Sequence, residues 1–402
     1  MGDGRAFPDR LPAPTPSARL VAFYLPQFHP TAENDAWWGN GFTEWTNVAK
    51  ARPLFPGHIQ PRLPADLGFY DLRVPDVREA QAHMAAECGV EGFCYWHYWF
   101  GHGRRILERP FQEVLETGSP DFPFCLAWAN QSWTGIWHGN PKSVLIEQTY
   151  PGHEDEAAHF RWALQAFQDP RYMTVDGKPI FVVFAPHDLP SPASFITHWR
   201  QLAEQAGLPG LYIVAMTNRY APGVERFGTP LLQPFDAVTP LVPQQFLEDR
   251  PKTIRAKVAR RLARRDFGPK VAAITGGALA RPARFPFADV VAEAHRGMPD
   301  DLRHLPCVLP GWDNTPRSGI RGNVFEGATP ELYGRHLQDA VDRVSGRPVQ
   351  QAIVFLKAWN EWAEGNYIEP DALLGRAMLD ETRRVMFPAL NRAGASIATA
   401  KA

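Results

Sequence analysis

Cysteine is scarce: four residues, at 88, 94, 125 and 307, with no CxxC pair and no metal-ligand spacing. A disulfide framework and a zinc-finger-like site are thereby excluded, and buried reduced thiols in a cytoplasmic protein are the expectation. Cys94 and Cys125 both sit inside apolar, strand-like runs. Charge of one sign is also missing, since 42 Lys and Arg face 43 Asp and Glu, for a net charge of -1. A partner with a phosphate backbone calls for a basic excess or stripe, so nucleic acid is not expected. There is no apolar run of about 18 residues, and hence no transmembrane helix is expected. The opening stretch MGDGRAFPDRLPAPTPSARL lacks the continuous apolar centre of a secretory signal. No GxGxxG turn follows the first apolar run, which continues as YLPQFHP, and no repeat of about 20–50 residues recurs.

Apolar residues and proline are plentiful. Hydrophobic residues make up 45% and charged residues 21%, enough for a sizeable core. The 39 prolines suit many ordered loops. Residues 1–18 read as a flexible tail, 19–390 as one catalytic domain and 391–402 as a second tail. Eight apolar runs read as strands: Leu20–Phe28, Val90–Tyr98, Phe122–Trp128, Pro179–Phe184, Leu211–Met216, Phe235–Pro240, Cys307–Leu309 and Ala352–Leu356. They lack strict alternation, as strands buried on both faces should. Helices are expected at Pro75–Cys88, His153–Gln168, Ala193–Gln205, Pro330–Val344 and Asp371–Met386. Strands alternating with helices predict a parallel sheet, and eight strands close a (β/α)8 TIM barrel. A doubly wound open sheet is the alternative. Leu241–His304, between strands 6 and 7, is too long for one connection; it reads as a basic helix near Lys252–Arg265 plus an irregular insertion around RPARFPF. The basic helix reads first as a solvated outer face.

In such a barrel, chemistry gathers at the carboxyl ends of the strands. Those ends hold eleven of the 13 tryptophans; only Trp162 and Trp199 fall on expected helices. The first strand ends in Tyr24, Gln27 and His29, with Trp37, Trp38, Glu44 and Trp45 following. The second ends in Trp96, His97, Tyr98 and Trp99; the third in Trp128, Asn130, Gln131 and Trp133, with Trp137 beyond. The seventh ends in Trp312 and Asp313, and the eighth in WNEWAEGNYIEP, which carries Asn360, Glu361, Trp362, Glu364, Tyr367 and Glu369. Strand-end aromatics can simply close a barrel. So many indoles on one rim, beside amides and carboxylates, favour a cleft whose flat faces stack on sugars while polar groups bond hydroxyls.

Glu361 and Glu364 are the sharpest feature. Glycosidic cleavage needs one protonated and one ionised carboxyl group, and indole walls at Trp359 and Trp362 would raise the pKa of the acid. Two glutamates three apart are also a common surface pair, but here they follow the buried-strand run AIVFLKAW, and Gly365 permits a tight turn. His97 and His102 fit no metal motif, and neither a metal nor a cofactor is expected. The acidic run HEDE at His153–Glu156 opens a helix and reads as dipole capping.

WNEWAEGNYIEP resembles the NEWxEGxxIEP signature of glycoside hydrolase family 99, the endo-α-mannosidase family. FYLPQFHP, ENDAWWGNGFTEW, GFCYWHYWFGHGRRILERP, FPFCLAWANQSW, DPRYMTVDGKPIFVVF and GWDNTPR together look more like the WbsX-type, family-99-like proteins associated with bacterial O-antigen and other surface polysaccharides. The likeness runs from about residue 19 to about 387. It implies a (β/α) barrel and a retaining mechanism in which Glu361 acts as base toward the sugar 2-hydroxyl, through an anhydro-sugar intermediate, and Glu364 as acid/base. One departure is visible: relatives commonly carry Asn-Glu after WA, whereas this chain has Asn130 and Gln131. A glycoside hydrolase acting on a bacterial polysaccharide leads. A lipopolysaccharide or O-antigen glycosyltransferase follows, although no DxD cluster is placed for nucleotide-sugar phosphates. A non-catalytic glycan-binding barrel would not need paired carboxyl groups.

Overall fold

Every expected apolar run contains a strand, in a computed structural model that describes residues 15–135, 140–217, 230–249 and 281–389. The strands are β1 Arg19–Tyr24, β2 Val90–His97, β3 Phe124–Trp128, β4 Lys178–Val183, β5 Tyr212–Thr217, β6 Ala237–Pro240, β7 Cys307–Val308 and β8 Ile353–Leu356. All neighbours are parallel, in the order β7-β8-β1-β2-β3-β4-β5-β6. Between β6 and β7 the Val238 N–H donates to Arg303 O at 2.7 Å, and the Leu305 N–H donates back to Val238 O at 2.9 Å. These two bonds draw the eight strands into a nearly closed barrel. Strands β3, β5, β6, β7 and β8 are buried at every residue, which is why their sequences show no alternation.

Outer helices return the chain between strands: α1 Pro75–Cys88, α2 Arg109–Thr117, α3 His153–Phe167, α4 Pro192–Gln205, α5 Val242–Asp249, α6 Phe287–Glu293, α7 Pro330–Val344 and α8 Ala377–Met386. Helix α1 starts on a proline and stops at Gly89, whose φ of 94° is left-handed; a Cβ there would lie 2.7 Å from Met386 Cβ. Inward side chains fill the barrel, with Phe23 stacked on Trp96 and Phe355 at centroid distances of 4.8 and 5.2 Å.

Three expectations are corrected. Helix α8 begins at Ala377, not Asp371, because the Asp371 carboxylate accepts the Leu373 and Leu374 N–H groups at 2.8 and 2.6 Å and locks a turn. The stretch around RPARFPF is not irregular: Ala283–Pro286 pairs in parallel with Asn323–Glu326 and leads into α6. Ser17, assigned to the tail, is tied down by its N–H donating to Met386 O at 2.9 Å. Residues 1–14, the basic stretch Lys252–Arg265 and 390–402 lie outside the described residues. No helix among the described residues is long and apolar enough to cross a membrane.

Candidate active site

Beyond β8 the chain folds back on itself. Asn360–Glu361 pairs antiparallel with Asn366–Tyr367 around the single turn Trp362–Glu364. Gly365 closes that turn at φ 58°, where a Cβ would come within 2.8 Å of the Asp313 backbone nitrogen. Asn360 fastens the hairpin to β1: its carbonyl accepts the Leu25 N–H at 2.8 Å and its amide donates to Leu25 O at 3.1 Å. The hairpin holds Glu361 and Glu364 at the mouth of the barrel.

Both carboxyl groups face a cleft of about 650 Å³, within the range of small-molecule sites of about 300–1,000 Å³. Its aromatic walls are Trp38, Phe42, Trp96, Tyr98, Trp133 and Phe184, and Gln27, Asn47, Gln131, Ser132 and Asp188 supply polar groups. Lys357, one residue past β8, contacts both acids: its ammonium donates to Glu361 Oε2 and lies 3.4 Å from Glu364 Oε2. The Trp96 indole N–H donates to Glu361 Oε1 at 2.9 Å. Arg317 donates through Nη1 to Glu364 Oε1 at 2.7 Å and through Nη2 to Glu44 Oε1.

Three carboxyl groups therefore share two cations. Burial pushes Glu361 up, but the Lys357 ammonium, a bond with Glu364 and the Arg317 guanidinium outweigh it and hold Glu361 down at about 2. Burial dominates at Glu364, and the neighbouring Glu361 charge adds to it, so this carboxyl is pushed up to about 7 despite the two cations. The pair thus divides into a carboxylate and a carboxylic acid.

Of the residues singled out from sequence, Gln27, Trp38, Glu44, Trp96, Tyr98, Gln131, Trp133, Glu361 and Glu364 line this cleft. Gln131 donates from Nε2 to Asp188 Oδ2 at 3.2 Å, so at the departure from the WbsX pattern it serves as a hydrogen-bonding group. A second pocket of about 250 Å³, which also includes His58, receives Trp312, Asp313, Tyr367 and Glu369. Asp313 accepts from His58 Nε2 and Gln60 Nε2 at 2.7 Å each on one oxygen, and from the Thr315 N–H and hydroxyl on the other. Burial opposes ionisation there, but those bonds keep the Asp313 carboxyl below its ordinary range. Asp313 thereby sets the turn that presents Arg317.

The other residues lie outside these pockets or bond within the fold. Tyr24 points outward and donates to Gln81 of α1 at 2.6 Å. His29 is buried with its Nδ1 3.1 Å from Pro26 O, and Trp45 donates to Tyr70 O at 2.8 Å. His97 turns toward α3, its Nε2 3.2 Å from His159 Nε2 and its ring stacked on Trp162. Trp99 donates to Asp155 of α3 at 2.9 Å, and Trp128 donates to Trp99 O at 3.0 Å. Asn130 is buried and bridges to Ala185 O at 2.9 Å and the Ala185 N–H at 2.8 Å. Trp362 stacks on Tyr367 at 3.8 Å and donates to Glu369 at 2.6 Å. Asn360 is spent on Leu25, and Trp359 packs on Phe93. Neither Trp359 nor Trp362 lines the cleft, and the Trp96 indole bonds to Glu361 instead. Glu369 is also raised, to about 7, by burial, yet it accepts from Tyr70, Gln81 and Trp362 and serves as an internal anchor.

Lys357 and Arg317 are site residues not expected from the sequence. Both signals were readable: a lysine closing the apolar run AIVFL, and an arginine two residues past a helix-starting Asn-Thr. Trp137 lies outside the described residues.

A family model described as Glycosyltransferase WbsX matches residues 20–382. The uncharacterized protein WxcX of Xanthomonas campestris pv. campestris strain B100 is 40% identical over 382 residues, covering 95% of this chain and 50% of that protein. Its counterpart in strain ATCC 33913 is 39% identical over the same length. The chain spans about half the length of these curated relatives. Two solved structures share the fold. One is a glycoside hydrolase-like protein, with a TM-score of 0.53 and 15% identity, covering 95% of this chain and 97% of that one. The other is the family 99 endo-α-mannosidase from Bacteroides thetaiotaomicron in complex with BIS-TRIS-propane, with a TM-score of 0.51 and 13% identity, covering 94% and 98%.

Proposed function

The chain belongs to the WbsX glycosyltransferase family, and from that premise we propose that it is a retaining glycoside hydrolase acting on a bacterial surface polysaccharide. The observation that carries this reading is the buried pair Glu361 and Glu364, one ionised and one protonated, facing an aromatic cleft. Glu364 protonates the leaving oxygen. Glu361 takes the proton of the sugar 2-hydroxyl as O2 closes on the anomeric carbon and the glycosidic bond breaks. Water then opens the anhydro-sugar, giving its proton to Glu364 while O2 recovers one from Glu361. The two carboxyl groups bond to each other and share Lys357. That arrangement leaves no room for the water that an inverting pair holds across about 6.5–9.5 Å.

The family's name carries the second reading, transfer from an activated sugar. A nucleotide-sugar donor would bring phosphates, and the two cations lining the cleft, Arg317 and Lys357, are already engaged by carboxyl groups. Hydrolysis is therefore preferred. A panel of bacterial polysaccharides incubated with the protein should yield new reducing ends with at least one glycan. The rate should fall as pH rises through about 7, where Glu364 gives up its proton. Sugar transfer from a nucleotide donor without hydrolysis of any glycan would overturn the reading.

A further inference from the structure

Away from the cleft, the first turn of α3 meets the second turn of α4 at three side chains. His153 and Glu156 lie three apart on one face of α3, and His198 reaches them from α4. Glu156 Oε2 is 3.0 Å from His153 Nδ1 and 2.6 Å from His198 Nδ1, and the two ring nitrogens are 3.1 Å apart. Two N–H donors on one carboxylate oxygen would satisfy the triangle as a purely hydrogen-bonded cluster. The same three atoms, two imidazole nitrogens and one carboxylate oxygen within 3.1 Å of one another, also offer one lone pair each to a cation.

We propose that His153, Glu156 and His198 bind a divalent first-row transition ion. Imidazole nitrogen with carboxylate oxygen suits zinc, cobalt or nickel better than calcium or magnesium. Bonds of about 2.1 Å place the ligand atoms about 3.0 Å apart on an octahedral face and about 3.4 Å apart in a tetrahedron, so edges of 2.6, 3.0 and 3.1 Å match one face of an octahedral site. His153 is two-thirds exposed and lines a shallow depression with His198, which leaves the remaining coordination positions to solvent. Asp155 is not a ligand, being held by the Trp99 indole at 2.9 Å. The run HEDE therefore does more than favour the helix dipole; its N-cap is Gly152, with no side-chain cap.

The ion would fasten two elements that follow the cleft wall. Helix α3 follows the segment that contributes Gln131, Ser132 and Trp133, and α4 follows Asp188. The site and the glycosidase reading are independent, and the test uses no catalytic assay. Zn²⁺ is titrated calorimetrically into the whole chelator-treated chain, beside His153→Ala, His198→Ala and the control His83→Ala on α1. The expected result is one equivalent bound by the native chain and the control, an affinity at least about 100-fold weaker in either site variant, and a Zn²⁺-dependent rise in Tm lost in both. Circular dichroism in chelator checks that the variants fold. No saturable binding below about 100 µM Zn²⁺, or binding unchanged in both site variants, overturns the proposal.

Discussion

Along β2 and the residues just past it, Trp96 and Tyr98 reach the cleft, whereas His97 and Trp99 reach α3. The residue types are alike and the neighbours are one position apart. Their fates differ because successive side chains of a strand point to opposite faces. The same parity divides β1, where Phe23 stacks inside the barrel and Tyr24 bonds to α1. It divides the end of β3 as well: Ala129 lines the cleft, while Trp128 packs against His159 and Phe195. Aromatic density at a strand end marks the rim, but only register decides which rings touch a ligand.

The cleft half of this comparison is tested most severely at Lys357. Lys357→Met removes the ammonium shared by two buried carboxyl groups and leaves them without their principal counter-charge. Activity should fall by at least about 100-fold, and stability by about 3–5 kcal/mol in urea denaturation. The outward half is tested by a pair of tryptophans. Trp128→Ala empties a fully packed position and should cost about 3–5 kcal/mol, with KM unchanged in the remaining folded enzyme. Trp133→Ala, on the cleft wall, should cost about 1 kcal/mol in stability and raise KM about tenfold. Equal effects from the two would erase the distinction.

The smallest effect concerns the buried histidine pair. Burial holds His97 down at about 3 and lowers His159 as well, so both fold neutral. The unfolded chain binds more protons between the ordinary histidine value, about 6.5, and the folded value, so stability falls as pH drops through that window. His97→Phe should reduce the slope of stability against pH between 6.5 and 4 by at most about 1.4 kcal/mol per pH unit. An unchanged slope would mean that His97 does not stay neutral in the fold.

The barrel was legible because its strands are continuous apolar runs bounded by turn residues, and the sequence YIVAMT or IVFL admits few other structures. Glu361 and Glu364 were legible for a similar reason: two acids directly after a buried run, with a glycine to turn on. Much of the cleft wall was not. Asn360 and Trp362 look like ligands of a glycan, yet they hold the hairpin in place by bonding Leu25 and Glu369. Lys357 stands only four and seven residues before its partners Glu361 and Glu364 and was readable beside them, whereas the partners of Arg317 lie far along the chain: it joins Glu44 and Glu364 across 273 and 47 residues. No local pattern records such contacts.

The proposed hydrolysis requires that Glu364 carry the proton and that Glu361 be ionised. It is tested most directly by comparing Glu364→Gln on two substrates that differ only in the leaving group. With an unactivated glycan the variant should lose about 10²–10⁴-fold in kcat/KM, since glutamine cannot deliver a proton. With a fluoride or nitrophenolate leaving group most of that loss should disappear, while Glu361→Gln stays impaired on both. Equal losses for Glu364→Gln on the two substrates, or no loss on either, would contradict the assignment.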